Sequence, residues 1–103
     1  MDTEQLSEET YKIVIVKAGR FHEDLRLQFG LLAENCKDDD DYIKKAKLLI
    51  SSIKKDLNYS IQEIFFERPP NVKSFKIILD DLEQGLNKVQ KIPIDKREFY
   101  YGK

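Results

Sequence analysis

His22, in the stretch AGRFHEDL, is the only histidine in the chain and so the only imidazole available as a general base. A general base needs an acid or a nucleophile within hydrogen-bond reach. Glu23 and Asp24 follow it directly, but helical neighbours one or two positions apart point away from each other. A single imidazole also excludes zinc proteases of the H-E-x-x-H type, and no E-x-x-H pair is present to build a di-iron bundle. His22 therefore reads as a surface or boundary residue.

Cys36 is the only thiol. It falls at the expected C-terminal end of a helix, where the negative pole of the dipole raises a thiol pKa and disfavours the reactive thiolate. The run Asp38-Asp39-Asp40-Asp41 invites a cation, yet it lacks the alternating ligands, the turn glycine and the closing Glu of an EF-hand loop. One Asp as N-cap, with the others at the positive end of a helix dipole, is sufficient explanation. The chain has four glycines in all and shows no phosphate loop, no G-x-S-x-G elbow and no C-x-x-C pair. The expectation is a protein that is not an enzyme, with no cofactor and no metal site.

Two groups of residues are better suited to binding than to catalysis. Lys44, Lys47, Lys54 and Lys55 fall mostly on one polar helix face and could contact phosphates, but Asp56, Glu63 and the Asp run share that helix and no aromatic interleaves as a stacking platform. Nucleic acid is the lesser alternative. Phe65, Phe66, Phe99, Tyr100 and Tyr101 are large aromatics at segment ends, the residue type that supplies most interface energy at low entropic cost. They are the candidate partner-binding residues, with burial in the core as the competing reading.

These residues must be positioned by a chain of 103 residues, one domain by size, spanning 1–103. Hydrophobic residues make up 41% and charged residues 36%, enough apolar content for a core beneath a highly charged surface. With four Gly and three Pro, the turns of an all-β sandwich cannot be supplied, which favours helices. The net charge is −1: residues 1–36 carry four basic and seven acidic groups, 37–70 seven of each, and 71–103 seven and five. That lacks the concentrated positive charge of a dedicated nucleic-acid binder. The opening MDTEQLSEET has neither the basic nor the apolar region of a signal peptide, and the longest apolar run, Ile13–Val16, is far short of the ~20 residues that span a bilayer. A cytoplasmic protein without membrane contact is expected.

Apolar periodicity then supplies the elements. Val14, Ala18, Phe21, Leu25 and Leu32 recur at helical spacing and predict a helix over 8–35 with Ser7 as N-cap, although the β-branched run 11–17 could instead be a strand. Ile43, Ala46, Ile50, Ile53, Leu57, Ile61 and Ile64 predict a helix over 41–67, ended by Pro69-Pro70. Phe75, Leu79, Leu82, Leu86 and Val89 predict a third over 72–91. At about 30 Å the third helix is too short to cover the other two at about 42 Å, and the apolar tail after Pro93 should dock on the uncovered end near residues 36–41.

The fold expected is all-α: an antiparallel three-helix up-down bundle with an extended apolar C-terminal tail. The alternative is α+β, with a small two-stranded sheet from residues 11–17 and 93–101. The function expected is a small protein–protein interaction module with an unidentified protein partner, self-association being one form this could take.

Overall fold

The computed structural model describes residues 6–100. Five helices form an all-α globule with a Cα radius of gyration of 13.2 Å, about that of a compact chain of this length. Helix α1 runs from Glu8 through Phe21, α2 is Glu23–Ala33, α3 Asp39–Lys55, α4 Leu57–Ile64 and α5 Val72–Gln90, followed by a 3-10 turn at Ile94–Lys96. No helix is long and apolar enough to cross a membrane, and no strand occurs, among the described residues.

Two of the three expected helices are each broken in two, so the three-helix bundle is corrected to five helices. At His22 the backbone turns extended (φ −164°, ψ 135°) for one residue, ending α1 and capping α2, because the ring Nδ1 accepts from the Asp24 N–H at 3.1 Å. At Asp56 the same happens (φ −148°, ψ 92°), and its carboxylate caps α4 by accepting from the Tyr59 N–H at 3.1 Å. An N-cap residue has extended backbone and supplies an acceptor to the next turn, so one residue suffices to restart a helix in a new direction. Helix α4 stops at Ile64, three residues short of the expectation. The connection includes Arg68 in the left-handed region (φ 52°), which costs roughly 1–2 kcal/mol for a non-glycine residue. Helix α5 matches its expectation, with Asn71 as cap accepting from the Ser74 N–H at 2.8 Å.

Residues 11–17 are helical, which overturns the α+β alternative. Helix α1 begins with one α turn, Glu8–Thr10, capped as expected by Ser7, continues as a π-helical segment over Tyr11–Val16, and returns to α at Lys17–Phe21. Gly85 of α5 explains how closely this segment is held: a Cβ there would collide with the Ile13 methyl groups, so α5 accepts Ile13 only because position 85 has no side chain.

Helix α5 packs along α1, α3 and α4, and the core lies between them. Ile43, Ile50, Ile53, Phe75, Leu79, Leu82, Leu86 and Val89 are buried as the spacing requires, joined by Val14, Ala18, Leu25 and Phe29 from the first two helices. The tail docks beyond the C-terminal end of α5, at the start of α3 and the residues before α1. The Tyr100 N–H donates to the Leu6 carbonyl at 2.7 Å and the Glu8 N–H to the Glu98 carbonyl at 2.5 Å, a single antiparallel bridge between Ser7 and Phe99. The tail's pairing partner is thus the segment before α1, not residues 11–17.

Candidate functional site

The turn between α4 and α5 carries the most exposed large aromatic of the described residues, Phe66, at 88% of its full exposure. Its neighbour Phe65 is the opposite: buried, with its ring edge-on to Phe75 (centroids 5.1 Å apart) and to His22 (4.6 Å). With Phe65 anchored in the core, the next side chain is turned outward.

The turn is tied down from the α1–α2 junction. The Phe66 N–H donates to the Asp24 carboxylate at 2.9 Å. Because Nδ1 of His22 accepts from the Asp24 N–H, the ring proton belongs on Nε2, which lies 3.1 Å from the Glu67 carbonyl and 3.2 Å from that of Arg68. One imidazole therefore caps a helix with one nitrogen and fastens the turn with the other. A shallow cleft of about 270 Å³ lies here, bordered by His22, Glu23, Asp24, Phe66, Glu67 and Arg68. Both nitrogens of its imidazole are engaged with backbone groups.

The remaining aromatics lie elsewhere. Phe99 and Tyr100 are half-buried in the docked tail, and the Tyr100 ring stacks on Tyr11 with centroids 4.0 Å apart. The hydrogen bond with the Tyr100 phenol, helped by burial, raises the Tyr11 pKa above its ordinary value. Tyr101 lies outside the described residues. The five aromatics thus do not form one surface: Phe65 is core, Phe66 stands on the turn, and Phe99 and Tyr100 belong to the tail.

The four lysines divide as well. Lys54 reaches across to α5, bridging Asp80 at 2.5 Å and Glu83 at 2.7 Å; the hydrogen bonds to Asp80 and then Glu83 raise its pKa. Lys47 donates to the Gln90 side chain at 2.5 Å. Lys44 and Lys55 are left exposed. Of the acidic residues of α5, Asp80 and Glu83 thus face one of these lysines, whereas Asp81 pairs with Lys17.

Of the Asp run, Asp38 is the cap, accepting from the Asp41 N–H at 2.8 Å. Asp41 accepts from the Lys37 N–H and pairs with Lys45 at 3.1 Å, contacts that lower its pKa in that order. Asp39 was unforeseen. It is fully buried, accepts from the Ser7 N–H at 2.9 Å and binds Arg97 Nη1 at 2.6 Å, while Asp40 meets the same guanidinium at 2.7 Å. Burial works against the Arg97 charge, but the hydrogen bonds to Asp40 and Asp39 outweigh it and raise its pKa. The only sequence signal was a lone arginine within an apolar tail. Cys36 is buried, with Sγ 3.0 Å from the Ala33 carbonyl; burial, and then the Asp41 charge, raises its pKa.

A second surface feature was also missed. A groove of about 420 Å³ runs beside the π-helical segment, its apolar lining supplied by half-buried Tyr11, Ile13, Val16 and Tyr100. A neighbouring depression of about 360 Å³ shares Tyr11 and is bordered by Leu27, Gly30 and Leu31 of α2. Among the described residues no cluster of three metal-ligating side chains is present. No family model matches the chain, and neither the curated proteins nor the solved structures searched give a significant match.

Proposed function

We propose that this protein is a non-enzymatic module that binds another protein, with Phe66 as its anchor. The observation that carries this reading is the contrast at one residue between an 88% exposed ring and a backbone held by Asp24, beside a turn fastened by His22. An aromatic whose backbone is already fixed loses less conformational freedom when its ring inserts into a partner's pocket than one on an unrestrained segment. The occupied ring nitrogens of His22 and the buried, raised-pKa thiol of Cys36 support the non-enzymatic part. A thiol held in this way also suits a reducing, cytoplasmic setting.

Binding to nucleic acid through Lys44, Lys47, Lys54 and Lys55 is the weaker reading, since Lys54 is already neutralised by two carboxylates. The test compares wild type with Phe66→Ala in quantitative crosslinking capture from native extract, alongside sedimentation of each. The expected result is a protein, or a second copy of the chain, retained by wild type and lost by the variant. Identical captured sets and identical masses for the two proteins would overturn the reading.

A further inference from the structure

We propose that the groove beside Tyr11 receives an acidic amphipathic helix of a protein partner, its apolar residues seated on either side of Tyr11. This deepens the protein-binding reading but uses a different surface from Phe66. The shape comes first: an apolar groove of about 420 Å³ and a mixed polar and apolar depression of about 360 Å³ meet at Tyr11, whose ring stacks on Tyr100. Side chains presented in pairs from one face, as at positions i, i+4 and i+7 of a helix, fit such a double depression. The second depression has room for close approach. Leu27 and Leu31 are 44% and 56% exposed, and a Cβ added at Gly30, between them, would meet nothing within 4 Å.

Charge selects the partner. The two depressions are bordered by four cations, Lys12, Lys17, Arg20 and Arg26, against two acids, Glu8 and Glu34, in a chain whose net charge is −1. Lys12 pairs with Glu8 and Lys17 with Asp81, in exposed contacts that a partner's carboxylates can compete for. Arg26 is held by Glu23. Arg20 is exposed and has no ion-pair partner among the described residues, so a carboxylate arriving there displaces nothing, whereas a basic partner meets an uncompensated guanidinium. The groove also follows the Tyr11–Val16 segment, and π-helical turns are frequent at functional sites.

The probe is a display library of amphipathic helical peptides with a leucine face and a polar face randomised among Glu, Lys and Gln, panned on the full chain. Glu-rich winners are expected, with affinity falling by about tenfold or more in Arg20→Glu and in Leu31→Ser, weakening with added salt, and unchanged in Phe66→Ala. Both groove variants alter exposed side chains, and unchanged circular dichroism confirms that they fold. Lys-rich winners, no winners, or winners indifferent to both groove variants would overturn the proposal. Winners lost only in Phe66→Ala would also overturn it, while leaving the Phe66 reading intact; groove binding with no partner lost in Phe66→Ala would do the reverse. Self-association abolished by Arg20→Glu would place a second copy in the groove, and dodecanoate perturbing the Tyr11 and Tyr100 resonances where no peptide binds would place a small anionic amphiphile there. Either result counts against the peptide helix.

Discussion

Arg97 and Asp39, 58 residues apart, form an ion pair inside the fold, 2.6 Å between Nη1 and Oδ2, with side chains only 3% and 0% exposed. The pair is completed on both sides, by the Ser7 N–H on Asp39 and by the Ile92 carbonyl on the Arg97 Nε–H. It joins the tail, the start of α3 and the residue preceding α1 at one point.

Arg97→Ala leaves the Asp39 carboxylate buried without its cation and should cost about 3–5 kcal/mol in urea unfolding, whereas Asp39→Ala leaves Arg97 paired with Asp40 and should cost less. The double replacement Asp39→Leu/Arg97→Met should recover much of that loss, because both desolvation penalties disappear together. Truncation after Lys91 should likewise destabilise the whole molecule rather than leave an intact monomer.

Gly85→Ala should destabilise by about 1–3 kcal/mol even though alanine is the better helix former, since the new methyl group would collide with Ile13. Pairing it with Ile13→Ala should restore part of the loss. A thermal melt of Gly85→Ala at or above wild type would show that α5 and the π-helical segment can move apart.

Asp24→Ala removes the acceptor of the Phe66 N–H but leaves the Asp24 backbone N–H that His22 accepts from. Hydrogen exchange should speed up at the Phe66 amide while the amides of α5 keep their protection. Equal protection at Phe66 in both proteins would mean that the turn does not depend on this bond.

Acid should weaken the fold. The Asp80 carboxyl is held below its ordinary pKa, first by its hydrogen bond to Lys54 and then by that to Lys76. A carboxyl with a depressed folded pKa gives stability that is fully present above its unfolded value, about 4, and is lost as pH falls through the folded one. Both side chains are partly exposed, so solvent screening limits the effect to at most about 1 kcal/mol. Melting temperatures of wild type and Lys54→Met should converge as pH drops below about 4.

Helix α5 was readable because two signals agree there: the prolines that end the preceding helix, and an unbroken apolar stripe from Phe75 to Val89. The breaks at His22 and Asp56 were not readable, although Asp is a favoured cap, because the apolar stripe passes through both positions without a change of phase. Periodicity reports which face is buried, not whether the axis bends. Residues 11–16 mislead for a related reason, since the β-branched run YKIVIV has strand propensity but is held helical by contact with α5 at Gly85. Of Phe65 and Phe66, only Phe65 faces the core, packed against Phe75 and His22, residues distant in sequence that no local pattern announces. Asp39 was hidden among four identical side chains, whose number exceeds what a cap requires.

The joint made by Arg97 also sets an order of events during synthesis. All five helices precede residue 97 in the chain, so each is translated before the guanidinium that neutralises Asp39 exists. Until then the carboxylate has the Ser7 N–H as its other buried partner, and the groove wall formed by Tyr100 is absent. At about 5–20 residues per second, the first helices are translated seconds before the tail and α5 on the order of a second before it. The contact that gathers Ser7, Asp39 and Arg97 is therefore the last of the buried polar contacts of Asp39 that translation can supply.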